Sequence, residues 1–216
     1  MSKAIKIARG LGVVMILVTY AVLVHHVNVS AQASTLGAIL ALAPLCLLVI
    51  TYAWKTDSRV MGISLFFISF FACWLAWPFV RQHTGFIFWI QDVGLMLILL
   101  LTFARTLQKN RKPLCVHFAE IINGEEPLTP EHVNYARQVT VAWVVFFAMI
   151  IISSTVLFFL SPLAIWSFFV NFLTLPFVAL MFIAEFMVRR RVLSNLPTGH
   201  MLDAVRAYRN NSARIR

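Results

Sequence analysis

The sequence predicts an all-α, polytopic integral membrane protein with about six transmembrane helices, both termini in the cytoplasm and short amphipathic interfacial helices. Of the 216 residues, 61% are hydrophobic and 12% are charged, whereas soluble domains are about 45–50% apolar and about 25% charged. Each helix that crosses a bilayer needs about 20 apolar residues, and the chain contains enough apolar runs for six. We therefore expect a single transmembrane domain over 1–216.

The first four apolar runs are separated by short polar or charged segments. The first run follows three basic residues, and the second ends at the polar segment 55–59. The segment 81–84 divides the third run from the fourth, which ends before a basic loop. The predicted spans are 7–24, 36–54, 60–80 and 85–104.

The last two spans come from one uncharged stretch, residues 138–184, which is too long for a single helix. Ser161-Pro162 divides this stretch, because Ser can cap a helix and Pro suits the first helical turn. The predicted spans are 139–160 and 163–188, with Arg189–Arg191 ending the last one.

Two segments outside the spans are also predicted to be helical. In the cytoplasmic loop 105–138, residues 113–123 place apolar side chains on one helical face, which is typical of an interfacial helix. Thr129-Pro130-Glu131 then has the cap, proline and acidic first turn of a helix that continues into span five.

The basic cytoplasmic tail 189–216 is predicted to contact lipid. Its apolar residues lie at helical spacing beside Arg206 and Arg209, which favours a basic amphipathic helix. Such a helix binds the anionic lipids of the inner leaflet. The apolar residues are Met201, Leu202, Val205 and Tyr208.

The distribution of positive charge predicts the orientation. Seventeen of the 18 Lys and Arg residues fall on the side shared by the termini, and Arg81 alone falls on the other. By the positive-inside rule the terminal side is cytoplasmic, which suits a multi-pass protein of the bacterial inner membrane. For the first span, a cleaved secretory signal ending near Ala31-Gln-Ala33 is the alternative to the uncleaved helix that we expect.

Several classes of protein are disfavoured by the motifs. The net charge of +10 is explained by the inner membrane surface, and no nucleic-acid-binding motif accompanies it. The cysteines form no CxxC pair, and we expect neither a metal site, a cofactor nor a disulfide framework. No nucleophile–base arrangement is evident, so we expect a protein that is not an enzyme. The cysteines are Cys46, Cys73 and Cys115.

Polar residues inside the spans are the candidates for function, because burying them in lipid is costly. Asp92, with Gln91 beside it, lies seven residues into span four, and Asn171 and Ser154 fall at a similar depth. We expect a pocket that faces the periplasm, with Asp92 as proton acceptor or cation partner. For Asn171 and Ser154 we favour interhelical hydrogen bonding over a role in this pocket, and for Asp92 both interpretations stay open.

The periplasmic rim above this layer carries four basic or titratable residues, of which Arg81 or a histidine is expected to lie near Asp92. At the inner interface, Glu185 is expected to pair with Arg189 at i,i+4. Tryptophans near both interfaces, Trp166 and Trp143 among them, are expected to anchor the helices in the aromatic belts. The rim residues are His25, His26, Arg81 and His83.

The second half of the chain resembles a family of small bacterial inner-membrane proteins found with aryl-polyene and xanthomonadin-type pigment biosynthesis genes. The resemblance covers roughly residues 100–210. It rests on a series of short motifs, namely Phe103-Ala-Arg-Thr-Leu107, Lys112-Pro-Leu114, Phe118-Ala119, Leu128-Thr-Pro130, Tyr135-Ala-Arg137, Val139-Thr140, Ala142-Trp143, Trp166-Ser167, Asn171, Leu175-Pro176, Glu185 and Arg189–Arg191.

The resemblance implies a role beside the assembly or export of a lipid-linked polyene. It favours a non-enzymatic accessory protein that binds lipid and docks cytoplasmic biosynthetic proteins through 105–138 and the tail. A small proton-coupled transporter or flippase component that uses Asp92 is the alternative. A homo-oligomer is compatible with either function.

Overall fold

A computed structural model describes residues 3–30, 35–56, 58–108, 111–123 and 128–192. These residues form helices and contain no strand. The elements in chain order are α1 (Lys3–Ser30), α2 (Thr35–Lys55), α3 (Arg59–Gln82), α4 (Thr84–Thr106), α5 (Leu114–Asn123), α6 (Pro130–Leu160), α7 (Leu163–Phe168), a π-helical segment (Phe169–Leu173) and α8 (Thr174–Val192).

Six helical stretches in the described chain are long and apolar enough to cross a membrane, and the predicted fold class is confirmed. The last of these stretches is not one regular helix but α7, the π-helical segment and α8 together. The first is longer than the predicted span 7–24, because α1 continues to Ser30. The predicted amphipathic tail helix lies outside the described residues.

The chain forms two compact units, each described by itself. Unit 1 comprises Met1–Val93 and Ser154–Thr174. Unit 2 comprises Gly94–Ser153 and Leu175–Arg216.

Helix α2 of unit 1 contains a proline whose effect is compensated by another helix. Pro44 has no N–H, so the carbonyl of Leu40, four residues earlier, loses its partner within α2. The Tyr20 hydroxyl of α1 donates to that carbonyl over 3.1 Å. The bond gives this carbonyl a donor again and ties α1 to α2.

Helices α2 and α3 approach closely at Gly62. A Cβ at this position would lie 2.9 Å from the backbone oxygen of Ala53. Small residues allow helix backbones to approach in this way, which is the main source of packing energy between membrane helices. Only glycine therefore fits at Gly62 without a shift of one helix.

The break between α6 and α7 falls at the predicted Ser161-Pro162, but Ser161 does not act as the expected N-cap. Pro162 occupies the cap position of α7 without a side-chain hydrogen bond. Instead, both the hydroxyl and the backbone N–H of Ser161 donate back to the Leu157 carbonyl of α6, over 2.5 and 3.1 Å.

The π-helical segment follows α7 and ends at Leu173, three positions before Pro176. The ring of Pro176 disfavours a regular α-helical hydrogen bond to the carbonyl of Phe172, four residues before it. In the π segment the backbone N–H of Thr174 instead reaches the Phe169 carbonyl, five residues back. Single π turns inside α-helices are frequent at functional sites.

In unit 2, α6 starts as the sequence predicts. It begins at Pro130, with Glu131 in its first turn, and the Thr129 hydroxyl accepts the N–H of His132 over 3.4 Å. The helix continues without a break to Leu160. The helix predicted over 113–123 is also confirmed, as α5, and its place at the membrane interface stays a prediction.

Candidate polar site in unit 1

A chain of hydrogen bonds in unit 1 joins α4, α6 and α7. The Trp166 Nε1–H of α7 donates to the Ser154 hydroxyl of α6 over 3.0 Å. That hydroxyl donates its one proton to Oδ2 of Asp92 on α4 over 2.6 Å. Ser154 is fully buried, and Trp166 is 1% exposed. The half-buried carboxylate of Asp92 is therefore held by a hydroxyl that is itself fixed by an indole.

A second set of hydrogen bonds meets at Ser167, the residue after Trp166. The side-chain amides of Asn28 and Asn171 donate to Ser167 Oγ over 3.2 and 3.1 Å. Nδ1 of His25 lies 3.2 Å from the same oxygen. The Asn171 amide also donates to the Ser167 carbonyl over 2.8 Å. Ser167 is fully buried and connects α1 to α7 and the π-helical segment.

The two sets share the short helix α7. Successive residues on an α-helix point about 100° apart, so Trp166 and Ser167 address different neighbours. Trp166 contacts the α4–α6 side through Ser154, and Ser167 contacts α1. Helix α7 is thus held by directional bonds on two faces, which fixes its rotation as well as its position.

Gln91 forms a third interhelical contact. Its Nε2 donates to the Ala41 carbonyl of α2 over 2.6 Å. Ala41 is fully buried and lies one residue after Leu40, the carbonyl freed by Pro44. Gln91 therefore bonds to the backbone of α2, whereas its neighbour Asp92 bonds to Ser154 of α6.

No described contact joins Asp92 to Arg81 or a histidine, so the expectation that one of them lies near Asp92 stays a prediction. Arg81 and His26 are exposed, and the His83 ring stacks on Phe79 at a centroid distance of 4.5 Å. Within the described parts of the chain no basic side chain pairs with Asp92. Its partner is Ser154, which explains how the carboxylate is held without a countercharge.

His25, which is expected at the periplasmic rim, makes a contact that the sequence did not predict. Because α1 continues to Ser30, His25 lies inside the helix, where Ser167 supplies its hydrogen bond. The phenyl rings of Phe168 and Phe172 form T-shaped pairs with the imidazole of His25, at centroid distances of 6.2 and 5.4 Å. The tertiary partner allows a polar residue to extend the span beyond the predicted Val24.

Two of the most buried site residues, Ser167 and Asn28, were missed by sequence reasoning, and Trp166 was misassigned to the aromatic belt. The signal was present as spacing. Asn28 follows His25 by three residues, and Asn171 follows Ser167 by four, so each pair shares a helical face. Trp143 was misassigned in the same way: it is 5% exposed and packs on Phe182 at 4.7 Å in unit 2.

Two buried polar atoms of unit 1 have no hydrogen-bond partner among the described residues. They are Oδ1 of Asn28, an acceptor, and Nε1 of Trp89, a donor. A buried unpaired group costs about 1–3 kcal/mol. Asn28 itself is 3% exposed, so its free oxygen lies inside the polar site and is available to a donor.

In unit 2 the predicted ion pair is confirmed. Arg189 Nε lies 3.7 Å from Glu185 Oε1 across one helical turn. The Tyr135 hydroxyl donates to the Glu185 carbonyl over 3.1 Å, which joins α6 to α8. Glu185 therefore has two structural partners, Arg189 and Tyr135, near the C-terminal end of α8.

Cys115, on α5, is the thiol of unit 2. Its backbone N–H donates to the fully buried Thr140 hydroxyl over 3.3 Å. Burial raises the pKa of the Cys115 thiol, so the protonated thiol dominates at neutral pH and is a poor nucleophile. All three cysteines are free.

The described residues contain no group of three or more His, Cys, Asp or Glu that could hold a metal ion. The expected absence of a metal and a cofactor stays a prediction. The contacts described at Asp92 and His25 are hydrogen bonds to the hydroxyls of Ser154 and Ser167.

No protein-family model, curated protein or solved structure matches the chain. The fold and the polar site define the class: a multi-pass helical membrane protein with an interhelical hydrogen-bonded site among its spanning helices.

Proposed function

We propose that this chain is a non-enzymatic accessory protein of the bacterial inner membrane that binds an amphiphilic, lipid-linked molecule in unit 1. The molecule is of the aryl-polyene type that the resemblance of residues 100–210 implies. The protein supports the assembly or export of this molecule and does not transform it chemically.

The observation that carries this proposal is the polar site built around α7. It holds a carboxylate without a basic partner at Asp92 and an unpaired buried acceptor at Asn28 Oδ1. Both are acceptors, so they suit a head group with O–H or N–H donors. The apolar exposed faces of the helices around them contact lipid chains. A polar head with a long apolar chain satisfies both environments.

The binding test is purification of the full chain in native lipid, followed by mass spectrometry of bound small molecules. We expect one species to be enriched over bulk lipid and to fall several-fold in Ser154→Ala, which removes the bond to Asp92. Ser153→Ala is the matched control, because its side chain is adjacent, similar in size and makes no described contact with Asp92. Bulk lipid alone in the wild type, or equal retention in both variants, would contradict the proposal.

A second part of the proposal concerns orientation: both termini lie in the cytoplasm. An even number of spans supports placing the termini on one side, and the 17-to-1 division of basic residues supports the cytoplasmic side. A fluorescent-protein fusion at the C-terminus should fluoresce, and an alkaline phosphatase fusion there should be inactive. The opposite pair of results would reverse the topology.

The cytoplasmic side is proposed to dock biosynthetic partners and to bind anionic lipids. The end of α8 supports this with Arg189–Arg191, and α5 leaves Phe118 half exposed beside α6. Deletion of 192–216 should reduce both co-purification of acyl-carrier or acyltransferase partners and pathway output. If partners and output stay unchanged, the docking role is wrong. A homo-oligomer remains compatible with this role.

A second candidate function is a proton-coupled transporter or flippase component. It is favoured by the Asp92 carboxylate, which has a hydroxyl partner and no described positive charge. Asp92→Asn keeps the shape and the hydrogen-bond acceptor but cannot exchange a proton. Normal insertion with loss of transport supports this candidate, and normal insertion with full activity rejects it.

A further inference from the structure

We propose that His25 is a proton-sensitive clasp that fastens α1 to α7 when neutral and releases it when protonated. The inference goes beyond the proposed function, because it holds for whichever molecule the site binds. It follows from counting the protons and lone pairs at Ser167.

The oxygen of a serine hydroxyl has two lone pairs and one proton. At Ser167 both lone pairs are used, since the amides of Asn28 and Asn171 each donate to Oγ. The Ser167 hydroxyl can still donate its own proton. The remaining group within hydrogen-bond distance is Nδ1 of His25, 3.2 Å from Oγ. His25 must therefore accept at Nδ1 and carry its proton on Nε2.

The orientations of the two amides support this count. The side-chain amide of Asn171 also bonds to the Ser167 carbonyl. A carbonyl can only accept a hydrogen bond, so the atom facing it must be Nδ2 of Asn171. Reversing Asn28 would bury its whole NH₂ group without a described acceptor, whereas the present orientation leaves one oxygen unpaired. The present orientation thus leaves the smaller number of unsatisfied groups.

Protonation of His25 would place an N–H where an acceptor is needed. Nδ1–H can bond to Ser167 Oγ only by displacing an amide. Asn171 is held in place by its second bond, to the Ser167 carbonyl, so the displaced amide is that of Asn28. Asn28 is on α1, so the contact between α1 and α7 weakens. The hydrogen bond from Asn28 to Ser167 is therefore present when the imidazole is neutral and is lost when the imidazole is protonated.

The surroundings of His25 contain few other charges. Neither α7 nor the π-helical segment has a titratable residue, and α2 has Cys46, Tyr52 and Lys55, all in its second half. On α1 itself, Tyr20 donates to Leu40, and His26 is exposed. Asp92 is held by Ser154 on the other face of α7.

The first test determines the tautomer. In full-length protein in lipid nanodiscs, the other five histidines are replaced by Gln, which leaves ¹⁵N-labelled His25 as the single reporter. At pH 8 we expect an unprotonated Nδ1 and a protonated Nε2, and in Ser167→Ala a mixture of both tautomers. A protonated Nδ1 at pH 8 would overturn the proposal. This measurement does not require a His25 variant to fold.

The second test measures the clasp. Nitroxide labels at the exposed positions Val29 on α1 and Ile165 on α7 report the distance between these helices. We expect a single narrow distance at pH 8 and a broader, longer distribution at pH 5, within the range of roughly pH 5–8 where histidine changes charge. His26→Gln should keep this change, and His25→Gln should lose it. An identical distance distribution at both pH values, or a change that persists in His25→Gln, would refute the clasp.

Discussion

The two units hold their helices together in different ways. In unit 1, side chains of different helices bond to each other, as Ser154 does to Asp92 and Trp166, and Asn28 to Ser167. In unit 2, the described interhelical hydrogen bonds use backbone groups, as in the bond from Tyr135 to the Glu185 carbonyl. The interior of unit 2 is aromatic, with Trp143 packed on Phe103, Phe147 and Phe182.

The two kinds of hydrogen bond differ in how many specific residues they need. A bond to a backbone carbonyl needs one suitable side chain, because every residue supplies the carbonyl. A bond between two side chains needs both residues, and the network at Ser167 needs four. Unit 1 is therefore expected to be sensitive to conservative, shape-preserving substitutions, and unit 2 to changes of volume.

The largest expected effect is the loss of a buried tryptophan in either unit. Trp166→Ala and Trp143→Ala should each lower the free energy of unfolding by about 2–4 kcal/mol. Large-to-small changes in soluble cores cost about 3–5 kcal/mol, and the lower value reflects the absence of a hydrophobic driving force between helices in lipid. Detergent-denaturation titrations in mixed micelles measure this. Trp74→Ala, at a side chain 66% exposed, is the control and should have little effect.

Trp→Phe at the same two positions sharpens the comparison. Trp166→Phe keeps most of the ring but removes the donor to the buried Ser154, so it should cost about 1 kcal/mol more than Trp143→Phe. Equal costs at the two positions would remove the distinction between the units.

The Trp166 case shows how far the sequence could predict the structure. The spans follow from apolar runs of about 20 residues. The α6 start and the Glu185–Arg189 pair follow from patterns within about four residues. The similar depth expected for Asp92, Ser154 and Asn171 stays a prediction. Their hydrogen-bond partners could not be predicted, because these depend on which face of each helix turns toward its neighbours. His25 and Asn28 lie 142 and 139 residues from Ser167 in the chain, beyond the reach of local periodicity.

The next effect is steric and should have opposite signs in the two units. Gly62→Ala places a Cβ 2.9 Å from a backbone oxygen and should destabilise unit 1 by about 1–3 kcal/mol. Gly94, in unit 2, has open space around its Cβ position. Gly94→Ala should therefore stabilise α4 by about 0.5–1 kcal/mol through helix propensity. The same denaturation titrations give both signs, and destabilisation by Gly94→Ala would show that a neighbour covers it.

Two tyrosine hydroxyls give a smaller, matched comparison. Tyr20→Phe leaves the Leu40 carbonyl without a donor, since Pro44 supplies none. In Tyr135→Phe the Glu185 carbonyl keeps the helical N–H of Arg189. We expect about 1 kcal/mol for Tyr20→Phe and about half of that for Tyr135→Phe, in the range of interhelical hydrogen bonds in membranes.

A double-mutant cycle with Pro44→Ala tests the cause. The alanine restores a backbone N–H to Leu40, so Tyr20→Phe should cost less in that background. An unchanged cost would mean that the tyrosine stabilises α1 and α2 by packing alone.

The smallest effect is expected at the ion pair of unit 2. Glu185 and Arg189 are 3.7 Å apart, and their side chains are 17% and 24% exposed. The acid precedes the base by one turn, which is the favourable order, and such helical pairs contribute about 0.3–0.5 kcal/mol. Glu185→Gln should lower the free energy of unfolding by no more than this, and the difference should shrink when salt is added. A loss larger than Tyr20→Phe would show instead that Glu185 is a structural centre of unit 2, and the contrast between a bonded unit 1 and a packed unit 2 would fail.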